Sequence, residues 1–297
     1  MLQSVQKTEN NYSVGIVGCG WLGKALAQQL LAKNISVLAT SSQLENVDKL
    51  NQQGIKALQL VLPTKEIDLA QHDVFKQSNL VIAITPQFKQ GRTDYADKVI
   101  SLIHAAQQGL VERIILLSST AIYDGLTGLV DENSKLDLET EKVKILNAAE
   151  QAVLNFSKQE AEQKTQQGIV LRLAGLVGPE RHPGKFILAN KTLNNSTAPV
   201  NLIHQQDTVG LIELLLKAPF SQDKLCSDNN TQVIYNGVSD THVSKQQYYQ
   251  AAAKALGLNP PRFSKESVKK TTRIVCGKKA KQVLGYNFIY PNLLTWV

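Results

Sequence analysis

The chain is poor in the residues that staple or anchor a protein. Only three cysteines occur in 297 residues, at Cys19, Cys226 and Cys276. They are far apart, odd in number and form no C-x-x-C pair, which fits a reducing compartment and argues against a disulfide framework. The five histidines (His72, His104, His182, His204 and His242) show no close metal-ligand spacing, so no zinc site is expected. No uncharged apolar run approaches the ~20 residues a membrane helix requires. The opening MLQSVQKTENNYS is polar and lacks the apolar core of a signal peptide. Aromatic residues make up 6% and there is no Arg-rich tract. The net charge of +7, from 32 Lys and Arg against 25 Asp and Glu, is therefore a scattered excess and not a nucleic-acid surface. The expectation is a cytoplasmic protein with neither nucleic acid nor membrane as partner.

What is present is a globular composition, 43% hydrophobic and 19% charged, long enough for one large domain or two modest ones. Short apolar runs alternate with segments of helical spacing. Strands are expected over 13–18, 35–40, 55–62, 79–85, 113–118, 169–173 and 232–235. Helices are expected over 21–32, 45–53, 93–108, 139–164 and 207–217, with Asp207 as N-cap of the last. The run NLVIAIT at 79–85 is apolar on both faces, as a central parallel strand must be. The alternation predicts an α/β fold: a Rossmann-type, doubly wound parallel sheet with right-handed crossovers and a small C-terminal substrate lobe. The sheet domain is expected over 1–178, with 199–220 and 230–238 returning to it. The lobe takes 179–198 and 239–297, over the carboxyl ends of the strands where open α/β sheets bind ligands.

Gly18-Cys19-Gly20-Trp21-Leu22-Gly23 is G-x-G-x-x-G between a strand and a helix, the context that gives the motif meaning. Gly18 permits a tight turn, Gly20 lets the backbone approach a pyrophosphate, and Gly23 lets the helix pack on the strand. The helix N-terminus then offers free N–H groups to the phosphates. Trp21 covers the loop or packs locally. Expected dinucleotide contacts are Gly18, Gly20, Trp21, Leu22, Gly23, Thr40, Ser41, Ser42, Thr85 and Ser118. Thr40-Ser41-Ser42 ends the second strand where NAD-specific proteins usually place Asp or Glu. Hydroxyls there accept a 2′-phosphate without repelling it. NADP is the preferred cofactor and NAD the alternative, because no Arg follows to complete the signal.

Taken together, GCGWLG, LLSSTAIYDG (117–125), VLRLAGLVGPERHP (170–183), IHQQD (203–207) and KKAKQVLGYNFIYPNLL resemble the short-chain dehydrogenase/reductase superfamily in its extended form. The nearest likeness is to atypical members of the NAD-dependent epimerase/dehydratase type. The resemblance implies a catalytic hydroxyl at Ser119, four residues before Tyr123. It also implies a Tyr-x-x-x-Lys pair on the long helix, and that pair is missing. Aligning Glu150 with the family's following Glu puts Lys142 at the tyrosine position and Leu146 at the lysine position. No tyrosine lies between Tyr123 and Tyr235. Tyr123 is a substitute acid or a structural residue; Lys142 and Lys144 face the cleft or solvent.

Arg181 and His182, at the start of the lobe, are candidates for a phosphate or sugar acid. Arg172 contacts the site or anchors its strand, and Glu132 closes a loop near the cleft. A homodimer through the helices at 93–108 and 139–164 is one use of the stripe Val143/Leu146/Val153; facing the sheet is the other. Two functions stay open. One is an NAD(P)-dependent oxidoreductase or epimerase acting on a hydroxyl or ketone of a nucleotide-sugar-like small molecule. The other is a catalytically inactive NAD(P)-binding sensor or scaffold.

Overall fold

A computed structural model describes residues 12–63, 66–156, 166–186, 192–219, 233–264 and 272–297. The expected helical residues 157–164, the first residue of the strand expected at 232, the tail before Tyr12 and Cys226 lie outside them. The chain opens with β1 (Ser13–Val17), α1 (Trp21–Leu31), β2 (Ser36–Ser41), α2 (Leu44–Gln52), β3 (Ala57–Gln59) and the short α3 (Glu66–Ala70). It continues through β4 (Asn79–Ile82), α4 (Tyr95–Gln108), β5 (Arg113–Ser119), β6 (Leu129–Val130), α5 (Glu141–Phe156) and β7 (Gln167–Leu173). Then come β8 (Gly175–Val177), β9 (Thr192–Leu193), β10 (Leu202–His204), α6 (Gln205–Lys217) and β11 (Ile234–Gly237). The last elements are α7 (Lys245–Ala255), β12 (Arg262–Phe263), β13 (Ile274–Val275) and α8 (Lys278–Leu284).

The central sheet is parallel and seven-stranded, in the order β11-β7-β5-β4-β1-β2-β3. The order reverses between β1 and β4, which opens a crevice at the carboxyl ends of these two strands, the place where open α/β sheets bind ligands. Right-handed crossovers in opposite directions put α1 and α2 on one face and α4 and α5 on the other. With both faces covered, β4 and β7 are buried along their whole lengths, which is why their sequences do not alternate.

Helix α5 turns Val143, Leu146, Ala149 and Val153 inward, each 0% exposed, against β5, β7 and α4. The stripe is thus used inside one protomer and is not available to a second copy. Helix α6 packs on α1, so the link from β7 to β11 crosses on the α1 face and departs from the right-handed pattern. It also starts two residues earlier than the sequence indicates. His204 is its N-cap, its Nδ1 accepting from the N–H of Gln206 at 3.2 Å. Asp207 is fully buried and does other work: it accepts from the Tyr286 hydroxyl at 3.0 Å and from the N–H groups of Ile289 and Tyr290 at 2.6 and 3.0 Å. It thereby ties the C-terminal segment to α6. A second, smaller core gathers Val177, Val200, Tyr248 and Leu293 above the sheet. Among the described residues no helix is long and apolar enough to cross a membrane.

Candidate functional site

The loop between β1 and α1 is bare where the sequence requires it to be. Gly18 has φ +90°, and a methyl group built on it would lie 3.0 Å from Ile84. A methyl on Gly23 would lie 3.3 Å from the Ile16 side chain, so helix and strand touch there. A methyl on Gly20 would meet no protein atom within 4 Å. That open space sits over the start of α1, whose first turn has no acidic residue and no side-chain cap. Its free N–H groups and dipole therefore face the space and suit an anion. β2 pins the loop: Cys19 N–H donates to the Thr40 carbonyl at 2.7 Å. Cys19 itself is buried, and burial pushes its thiol up to about 12, which makes it a packing group and not a nucleophile.

Two cavities meet over this loop and share Gly18, Gly20, Ala83, Ile84 and Thr85. The one on the β2 side, about 480 Å³, is lined by Thr40, Ser41 and Ser42 and by Leu60, Val61 and Leu62, which follow β3. It also holds Arg92 and Lys98, brought in by the segment after β4 and the first turns of α4. Both cations lean on one acid: Arg92 reaches Asp94 at 3.3 Å and Lys98 reaches it at 2.8 Å. The Lys98 hydrogen bond holds the Asp94 carboxyl below the usual range, so the triad carries a net positive charge. The residues following β2 in sequence bring no such cation to this cavity; these two reach it from across the crevice.

The other cavity, about 380 Å³, lies over β4, β5 and β7 and is lined by Trp21, Leu22, Tyr95, Ser118, Ser119 and Arg181 among others. The two serines have complementary roles. Ser118 Oγ donates to Glu150 Oε1 at 2.6 Å, so toward the cavity it can only accept. Ser119 Oγ accepts from Ala121 N–H at 3.1 Å, which leaves its proton to donate. Arg181 stacks on Trp21, 4.4 Å from the ring, and Trp21 Nε1 donates to the Pro179 carbonyl at 2.9 Å. This pair joins the glycine loop to the segment leading into the lobe.

Other expected site residues lie elsewhere. His182 packs against Trp296 at 5.3 Å and its Nδ1 accepts from Gly184 N–H, away from Arg181's cavity. Tyr123 is 0% exposed: its hydroxyl donates to Asn236 at 2.9 Å and accepts from Arg172 at 2.8 Å. Burial pushes this phenol up to about 12, against the pull of Arg172. Asn236 N–H in turn donates to Glu132, so Glu132 belongs to the same buried network. Lys142 pairs with Asp124, which also takes Arg273 at 2.9 Å. Leu146 is in the core. Tyr95, at the first position of α4, lines the cavity with the two serines, a role that helical spacing over 93–108 does not reveal.

With that geometry in view, comparison with known proteins is informative. A family model described as NAD(P)H-binding matches residues 18–162. Protein YeeZ of Escherichia coli (strain K12) is 31% identical over 284 residues, covering 95% of this chain and 97% of that protein. The structure of MoeE5 with UDP-glucose and NAD superposes with a TM-score of 0.72 at 19% identity, over 93% of each chain. UDP-glucuronic acid 4-epimerase from Bacillus cereus, in complex with NAD, gives a TM-score of 0.71 at 15% identity, over 93% of this chain and 94% of that one. At such identities the two solved structures share the fold. The chain belongs to one family with protein YeeZ, carries an NAD(P)H-binding domain over 18–162 and has the fold of the NAD-dependent epimerase-type structures.

Proposed function

Starting from that membership, we propose that the chain binds NADP(H) across its two joined cavities and transfers hydride with a nucleotide-sugar-like hydroxyl or ketone in the cytoplasm. The observation that carries this reading is the open space over Gly20, where the cavities meet at a helix N-terminus. The adenosine half would lie on the β2 side. Thr40, Ser41 and Ser42 with Arg92 and Lys98 suit a 2′-phosphate, and β2 ends without the carboxylate that would repel it. The bound nicotinamide supplies or accepts hydride at the substrate carbon. Ser119 donates to the substrate oxygen, and Arg181 supplies a cation for a phosphate or acid group. The oxygen's proton is exchanged with water. MoeE5 and the B. cereus epimerase support the substrate class by what they bind or act on.

A second reading, binding without turnover, draws on a specific observation. Tyr123 is enclosed by Arg172 and Asn236, Lys142 is held by Asp124, and Leu146 is buried. None of these brings a proton carrier to the cavity. The two readings separate in one experiment: coenzyme absorbance at 340 nm is followed against a panel of nucleotide sugars and ketones. Turnover abolished by Ser119→Ala supports the enzyme. Tight coenzyme binding with no turnover on any panel member supports the sensor or scaffold.

A further inference from the structure

Tyr95 is 2% exposed, and its hydroxyl has no hydrogen-bond partner among the described residues. Five other buried polar atoms share that condition, on Tyr12, Asn195, His204, Tyr248 and Arg273. Tyr95 alone of these six residues lines either of the joined cavities. Buried donors are nearly always paired, so a phenol at this position implies a partner that the described residues do not supply.

The surroundings define that partner. Tyr95 stands with Ser118 and Ser119 on the β5 side of the glycine loop, while the adenosine-side hydroxyls of Thr40, Ser41 and Ser42 line the other cavity. The phenol is near enough to Glu150 to feel its charge, and burial with that charge raises its pKa, so it stays protonated. It is a hydrogen-bond donor and not a tyrosinate base. Ser118, whose proton goes to Glu150, presents an acceptor at the same corner. Donor and acceptor at one corner match a sugar hydroxyl, which accepts and donates, or a carboxamide, whose oxygen accepts while its NH2 donates.

We propose that Tyr95 donates a hydrogen bond to an oxygen of the nicotinamide riboside half of the bound dinucleotide, a contact supplied from α4 because α5 offers Lys142 and Leu146 instead of a Tyr/Lys pair. The inference rests on the dinucleotide reading of the cleft, and its test is chosen so that the two can fail separately.

Isothermal titration of the wild type and Tyr95→Phe with NADPH, NADH and the half molecules 2′,5′-ADP and ADP reads the contact. The tighter-binding coenzyme should lose about fivefold to tenfold in affinity, the range of one neutral hydrogen bond, while its half molecule binds unchanged. The unliganded variant should melt no lower than the wild type, since it loses only an unpaired hydroxyl. Equal affinity of variant and wild type for the coenzyme overturns the inference and leaves the dinucleotide reading intact. Equal weakening of the half molecule also overturns it, because the effect is then a distortion of the cleft. A wild type that binds none of the four compounds removes the dinucleotide reading and this inference together.

Discussion

Arg172 on β7 and Glu150 on α5 form a fully enclosed ion pair, Nη2 to Oε2 at 2.7 Å, with Arg172 Nε within 3.1 and 3.2 Å of the two carboxylate oxygens. Burial works against the Arg172 charge, yet Glu150 and Tyr123 hold its pKa above the ordinary guanidinium value. The pair is the hub of a network from Ser118, at the cleft, to Asn236, on β11. It fixes helix to sheet and orients the serine at the cavity.

Breaking that pair from one side should be costly. Glu150→Gln leaves a buried guanidinium without its counter-charge, at about 3–5 kcal/mol. Chemical denaturation should show this as a lowered midpoint, and heating as a fall in Tm of roughly 10 °C. An unchanged midpoint would mean that the charge finds water or another acceptor.

Gly20→Val should separate folding from binding. The new side chain points into open space, so Tm should stay within a few degrees of the wild type. That same space is where the phosphates are proposed to sit, so coenzyme affinity should fall by a hundredfold or more, about 2.7 kcal/mol. Calorimetry and thermal melting on one sample check both halves.

Arg92 and Lys98 should set the coenzyme preference. The double variant Arg92→Ala/Lys98→Ala should lose about tenfold in affinity for NADPH, about 1.4 kcal/mol, and little for NADH. Asp94→Asn, which frees both cations, should move the ratio the other way. Fluorescence titration of the two reduced coenzymes reads the ratio, and parallel losses for both would remove the two cations from 2′-phosphate recognition.

His204 predicts an acid limb in stability. It is 1% exposed, packed 4.0 Å from Tyr290 and 4.8 Å from Trp296, and burial lowers its pKa from 6.5 to about 4. A cation is favoured only in the unfolded chain, where the imidazole titrates near 6.5. Its contribution is therefore complete above that pH and is lost progressively as pH falls from 6.5 to about 4, by up to about 3 kcal/mol. His204→Asn keeps a capping side chain for Gln206 N–H but removes the titration. The difference between wild-type and variant unfolding free energies should shrink steadily across that interval; a constant difference would refute the assignment.

The glycine loop was legible because its meaning is local. Gly18, Gly20 and Gly23 act within one strand, one turn and one helix, and the alternating apolar runs reported both faces of the sheet as covered. Asp207 was misread for the same reason: an acid ahead of an apolar helical run has the local signature of a cap. Its real partners, Tyr286, Ile289 and Tyr290, lie some eighty positions later. The long-helix stripe at Val143, Leu146 and Val153 allowed two uses, and packing on β5, β7 and α4 selected one.

The sequence by itself determined the parallel sheet, the bare loop at its first crossover and the lack of any tyrosine between Tyr123 and Tyr235, since each is written in neighbouring residues or in their absence. Only the tertiary structure decided that Tyr123 is sealed into the Arg172 network, that Arg92 and Lys98 face Thr40, Ser41 and Ser42, and that Tyr95 stands beside Ser118 and Ser119. The reason is physical. Strands distant in sequence end side by side at the crevice, and which side chains meet there follows from sheet order and helix packing, quantities that no local window of residues contains.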